Sequence, residues 1–187
     1  MPALDLIQKK FPEASIICAA PERCREILEA HPAVTRFLAF DEKSTHRSWI
    51  ARLRFAWELR RQGPWAQGYL FHRSRTRAML LALAGVKERI GYGRGRKGFL
   101  TRAVAEPTRP MHQLDYFFEL MQGAGFEAPE ERVYRFFYKP EDEAKAWEIL
   151  RGQGLAAGSR YICFHLGANW EPKRWPAEQF AALADQI

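Results

Sequence analysis

The chain has 187 residues, 47% of them hydrophobic and 13% aromatic, enough to bury a core in one domain or two small ones. No apolar run approaches bilayer length and the N-terminus has no signal-peptide layout, so spanning and exported classes are set aside and a cytosolic place is expected. The net charge of +7 is uneven: Lys43 to Arg109 holds sixteen Lys/Arg against three acids, Glu58, Glu88 and Glu106, and the remainder is net acidic.

A basic region of this kind suits an anionic partner, whether nucleic acid, anionic lipid or a phosphorylated small molecule; the plain alternative is a solvated Arg-rich surface. Pro2 to Phe11 carries Leu4, Ile7 and Phe11 at helical spacing, and Pro12 stops it. A strand is predicted over Glu13–Ala20, a helix over Glu22–Ala30 ended by His31-Pro32, and a strand over Val34–Phe40. Ser48–Gln62 reads as a longer helix closed by Gly63-Pro64, its polar side bearing Arg47, Arg52, Arg54, Arg60 and Arg61. Gly68–His72 is the next strand. Arg73-Ser74-Arg75-Thr76-Arg77 follows its carboxyl end and opens a helix that runs to Ala84, where Gly85 caps it. Ligands of open α/β sheets gather at that end of the strands, and a helix N-terminus beside a basic cluster suits an anion.

Arg89–Tyr92 is predicted as a short strand. Gly93-x-Gly95-x-x-Gly98 follows it but opens no clear helix, so a dinucleotide fingerprint is rejected. Met111–Gly123 is a helix with His112 at its start, a position that fits capping or packing better than catalysis. Val133–Tyr138 is predicted as a strand and Glu141–Gly152 as an amphipathic helix. Gly152-Gln153-Gly154 with Gly158-Ser159 reads as a linker, which sets one domain at 1–152 and the start of another at 153–187. Strands alternating with helices argue for a parallel sheet covered on both faces.

The most informative stretch is Tyr161–Pro176. Tyr161–Phe164 is apolar and reads as a buried strand; a polar loop through Gly167 follows, then a helix opened by Pro176, with Phe180, Leu183 and Ala184 at helical spacing. Strand, glycine loop and helix N-terminus make a phosphate site, with Lys173 and Arg174 at its mouth, or an ordinary turn that binds nothing. Trp175 fits packing at the loop exit. Cys18, Cys24 and Cys163 show no C-x-x-C pattern; Cys18 and Cys163 sit in apolar runs and are expected as buried free thiols. There is no metal-ligand spacing, nucleophile elbow, Walker-type Gly-Lys-Ser/Thr or local carboxylate pair.

Gly167-Ala168, a short spacer, then Lys173-Arg174-Trp175-Pro176 before a helix with Phe180 and Leu183-Ala184 resembles the donor-domain entry of the lipopolysaccharide heptosyltransferases, glycosyltransferase family nine. Ser74-x-x-x-Ala78, Leu83-Ala84-Gly85-Val86, Arg89-Ile90-Gly91-Tyr92 and Leu100-Thr101 resemble the acceptor half of the same family. The resemblance implies a GT-B α/β fold: here a Rossmann-like acceptor domain plus the first strand, loop and helix of the donor domain. It implies inverting transfer of heptose from ADP-heptose to the phosphorylated lipopolysaccharide inner core, without a metal or other cofactor, at or near the cytoplasmic face of the inner membrane.

Carried over by position, Lys173 would hold the donor diphosphate, with Gly167, Ala168 and Asn169 offering donors to the same group. Lys173 as a solvated loop lysine is the plain alternative. Arg60, Arg61, Arg73, Arg75 and Arg77 would be acceptor-binding, because guanidinium forks match phosphate oxygens. Leu166 stands where many members have Pro.

Pro2-Ala3-Leu4 and Phe11-Pro12 resemble the family's first helix with its preceding strand and Gly-Asp loop missing, so the catalytic base is expected before Pro2 and no catalytic residue is assigned. The Asp-Ser/Thr-Gly motif of the second domain is expected after Ile187; two full domains need about 150 residues each. The chain is therefore expected to be an incomplete, inactive member with an exposed apolar sheet edge prone to aggregation. The alternative is a non-enzymatic anion-binding module for a phosphorylated saccharide or anionic membrane, with Arg73, Arg75 and Arg77 as its contacts. Nucleic acid is not expected as a partner, since the basic residues form no reader motif.

Overall fold

The computed structural model describes residues 2–127, 135–156 and 158–187. The chain divides into two units, Met1–Lys139 and Pro140–Ile187. The first holds helices α1 (Pro2–Lys10), α2 (Arg25–Glu29), α3 (Trp49–Arg61), α4 (Arg75–Leu83) and α5 (Gln113–Gly123). Its strands are β1 (Ile16–Ala20), β2 (Val34–Ala39), β3 (Gln67–Leu70), β4 (Glu88–Tyr92) and β5 (Arg102–Val104).

All strand pairs among the described residues are parallel, as the alternation of strands and helices predicts. They form two ladders, β1–β2 and β3–β4–β5. β1 runs beside β2 from Ile16↔Val34 to Ala20↔Ala39, with an irregularity after Ile16. β3 and β4 align Gln67 with Glu88 and Leu70 with Gly91, and β4 and β5 align Tyr92 with Val104. Among the described residues no backbone hydrogen bond joins one ladder to the other.

Apolar packing joins them instead. Leu4 and Ile7 of α1, Ile16 of β1, Ile90 of β4 and Met121 of α5 share one buried cluster, so α1 and α5 cover one face across both ladders. The alternation of side chains along β3 separates the faces. Tyr69 and Phe71 meet the α1/α5 layer, while Leu70 meets Ala78 of α4. On that second face Leu59 of α3 packs with Ala84, Val86 and Leu38.

The predicted helix starts are set by side-chain caps. Ser48 Oγ accepts from Ala51 N at 3.2 Å, Ser74 Oγ from Arg77 N at 3.1 Å, and His112 Nδ1 from Leu114 N at 3.2 Å. His112 is thus a cap. β5 is a strand that sequence periodicity does not find, since three residues are too few to show alternation. Gly123 ends α5 directly against it, where an added Cβ would overlap Val104 Cγ1.

The second unit contains α6 (Pro140–Gly152), a 3-10 turn at Glu171–Lys173 and α7 (Ala177–Ala184). Tyr161–Phe164 differs from expectation: it joins no ladder, and its side chains are exposed. A strand needs a neighbour to take its N–H and C=O groups, and none of the described residues of this unit supplies one. Cys163 is accordingly exposed rather than buried, whereas Cys18 is half-buried on β1. Of the predicted strand Val133–Tyr138, residues 133–134 lie outside the described residues, and 135–138 form no strand. Among the described residues no helix is long and apolar enough to cross a membrane.

Candidate functional site

The carboxyl ends of β2, β3 and β5 carry a set of charged side chains in the first unit. Glu42, just past β2, accepts from Ser74 Oγ at 3.0 Å and from Arg77 Nε at 2.9 Å. One carboxylate thereby ties the exit of β2 to the first turn of α4. Glu106, past β5, does the same further along the sheet. It lies 2.8 Å from Arg73 Nε and 3.2 Å from Arg96 Nη2, and accepts from Tyr116 Oη at 2.8 Å. Arg73 Nε also donates to Tyr116 Oη at 2.8 Å, its guanidinium lying over the same ring. Tyr92 donates to the Tyr116 carbonyl, and the two rings pack 4.4 Å apart.

Arg96 comes from the turn after β4 and is only 4% exposed. Its Nε finds no hydrogen-bond partner among the described residues. Sequence reasoning gives this arginine no role; Gly95, just before it, has a φ of +70°, a left-handed conformation that glycine adopts without a Cβ penalty.

His72, exposed at the exit of β3, reports the field of this cluster. Its pKa is lowered from the ordinary 6.5, first by partial loss of solvent and then by Arg77, with further lowering by Arg96 and Lys43; only Glu42 opposes among the charges named. Arg73, Arg77, Arg96 and Lys43 outnumber the two carboxylates Glu42 and Glu106, which leaves the carboxyl end of β3 net positive. Tyr116 is held above the ordinary phenol range by burial, with the hydrogen bond from Arg73 opposing and Glu106 adding to the rise.

Of the arginines singled out from sequence, the structure brings Arg73 and Arg77 into this cluster. Arg75 stands on the same first turn of α4, over the Phe99 ring at 5.6 Å. Arg60 and Arg61 are elsewhere. They lie in the last turn of α3, which leads back to the amino end of β3. There Arg60 Nη1 reaches the Leu83 carbonyl at 3.4 Å and Arg61 lies over Trp57 at 4.6 Å.

In the second unit the 166–176 loop is open. Arg174 Nε donates to the Ala168 carbonyl at 2.7 Å, which folds the loop onto the 3-10 turn. Lys173 Nζ lies 5.5 Å from the Trp170 ring centroid and stays exposed. Gly167 and Asn169 are exposed beside it, and a Cβ at Gly167 would meet nothing within 4 Å. Pro176 is the N-cap of α7 rather than its first residue. Trp175 packs edge-on against Phe180 at 4.8 Å yet remains half exposed. Lys173, Gly167, Ala168 and Asn169 thus sit on one short, accessible loop with the start of α7 just beyond. Among the described residues no group of three or more His, Cys, Asp and Glu could hold a metal ion.

The chain is similar in sequence and fold to known proteins. The profile of Glycosyltransferase family 9 (heptosyltransferase) matches residues 54–187. The glycosyl transferase family 9 structure from Veillonella parvula DSM 2008 superposes with a TM-score of 0.87 at 22% identity, covering 99% of this chain and 53% of that one. E. coli ADP-heptose LPS heptosyltransferase II superposes with a TM-score of 0.73 at 21% identity, covering 98% of this chain and 55% of that one. The chain spans about half the length of these solved relatives. No curated protein matches. These similarities give the fold as the α/β arrangement of the family 9 glycosyltransferases, and the chain belongs to glycosyltransferase family 9, the heptosyltransferase family.

Proposed function

We propose that this chain carries the acceptor side and the opening of the donor side of a heptosyltransferase that moves heptose from ADP-heptose to the phosphorylated inner core of lipopolysaccharide. The observation that carries the reading is the family match over 54–187, which takes in both the Arg73/Arg77 cluster and the Lys173 loop. The positive sheet end would receive acceptor phosphates, with Arg73, Arg75 and Arg77 as their forks. Arg60 and Arg61, at the other end of the sheet, would reach only a remote part of a long acceptor.

On the donor side, Lys173 would lie against the diphosphate, with the backbone of Gly167 and Ala168 and the Asn169 side chain offering donors. In the transfer an acceptor hydroxyl attacks the anomeric carbon and gives up its proton to a general base, the bond to the diphosphate oxygen breaks with inversion, and ADP leaves. A fixed cation at the diphosphate stabilises the charge that develops there. Glu42 and Glu106 are both engaged by arginines, so neither is assigned as the base. A nucleotide-sugar donor and a membrane-borne acceptor together suit the cytoplasmic face of the inner membrane.

The test is calorimetric titration of the chain with ADP. Binding that falls about tenfold in Lys173→Ala, the loss of one charge-assisted contact, supports the donor loop. Identical titrations for the two proteins would remove the role of Lys173.

A further inference from the structure

We propose that the outward face of α3 is a seat for an anionic phospholipid bilayer. The inference stands on this face alone and does not depend on the transfer reaction.

The thirteen residues of α3 bury one side only: Ala56 and Leu59 point into the core. The other side presents Trp49, Ile50, Leu53 and Trp57, all largely exposed, with Ile50 at 81%. At 100° per residue these four fall within a single arc of about 100°. A helix face of this composition is normally turned inward. Here it is turned outward, and beside it Leu83 at the end of α4 extends the patch into a shallow groove of about 350 Å³ with Leu53, Trp57 and Arg60.

The rim of the patch is cationic. Arg47, Arg54, Arg60 and Arg61 are exposed around it, and Glu58 is the single acid of the helix. Arg61 lies 4.6 Å over Trp57, and Arg52 lies 5.0 Å over Trp49. Indole and guanidinium placed at one depth match the headgroup layer, where aromatic bodies sit at the acyl boundary and cations meet lipid phosphates. A second copy of the chain fits worse than lipid. A two-fold contact through α3 would bring the Arg54, Arg60 and Arg61 of both copies into one interface, with one glutamate of the helix per copy to offset them.

The experiment is sedimentation of the whole chain with vesicles of phosphatidylglycerol and phosphatidylethanolamine, and separately with phosphatidylcholine alone, at low and high salt. Binding is expected to the anionic vesicles only and to weaken as salt rises. Arg54→Gln with Arg61→Gln should weaken it about fivefold per arginine. Ile50→Ser with Leu53→Ser should weaken it by about tenfold or more through lost apolar insertion. Brominated lipid should quench tryptophan emission, and Trp49→Phe with Trp57→Phe should abolish most of that quenching. The substituted side chains are exposed, so the thermal midpoint reports that each variant is folded. Equal vesicle binding by all variants, equal binding to phosphatidylcholine, or a dimer in sedimentation velocity that Ile50→Ser with Leu53→Ser dissolves would each overturn the proposal.

Discussion

Arg77 donates from Nε to Glu42 at 2.9 Å across the gap between the exits of β2 and β3, with both side chains about four-fifths buried. This pair links the two ladders at the end where the positive cluster lies. Glu42→Gln should therefore act in two directions. It removes a charge-assisted bond and costs about 2 kcal/mol of stability, read from urea denaturation. It also frees Arg77 and raises the local positive charge, so inorganic phosphate should bind more tightly than to the wild type. Stability and phosphate affinity that fall together would show that the pair does not restrain Arg77.

Gly123 is required by contact rather than by backbone angle. Its φ is not positive, but a Cβ would overlap Val104 Cγ1 and stand 3.0 Å from Cγ2. Gly123→Ala should destabilise by about 1–3 kcal/mol, the usual cost of overpacking. Adding Val104→Ala should return part of that loss in a double-mutant cycle, because the two changes share one space.

His31 makes the fold sensitive to mild acid. It is 1% exposed; its Nδ1 accepts from Ala33 N at 3.1 Å, and its Nε2 lies 3.2 Å from Asp5 Oδ1 in ion-pair range but without hydrogen-bond alignment. Burial lowers its pKa below the ordinary 6.5 and outweighs the opposing pull of Asp5. The unfolded chain then binds the proton more readily than the folded one. The stabilisation is complete above pH 6.5 and is lost as the pH falls from there toward the folded value, with a slope of at most about 1.4 kcal/mol per pH unit. Urea midpoints measured from pH 7.5 to 5 should show this slope, and His31→Asn, which keeps an acceptor near Ala33 N, should flatten it.

The thiols should separate by rate. Burial pushes the Cys18 thiol up to about 11, so at pH 8 only about one part in a thousand is thiolate, whereas Cys163 is exposed. An aromatic disulfide reagent should modify Cys163 first, and Cys18 should react fully only after denaturation. Equal rates in the native protein would place Cys18 at the surface.

Much of the architecture is legible in the residues themselves. Ser48, Ser74 and His112 mark three helix starts because a cap is a local device, and short apolar runs between helices announce a parallel sheet. β5 escapes because Arg102–Val104 is held by pairing with β4 rather than by any pattern of its own. Tyr161–Phe164 errs in the opposite direction, since an apolar run predicts burial but cannot supply the partner strand that burial needs. The arginines near Ser74 are visible as a cluster in sequence. Their partners Glu42 and Glu106 are not, because both lie about thirty residues away along the chain and meet them only through the fold. Arg96 is hidden for a related reason: a loop of glycine and basic residues looks solvated until its path is known.

Among the described residues no backbone hydrogen bond joins β1 to β3, and this gives the domain an unusual thermal character. The ladders are joined by the apolar cluster around Leu4, Ile16, Ile90 and Met121 and by the Glu42–Arg77 pair. Apolar attraction weakens on cooling, whereas the hydrogen-bonded pairing inside each ladder does not depend on it in the same way. Chilling should therefore loosen the two halves from one another before either half loses its own strands, and the cold side of the stability curve should be the less cooperative one.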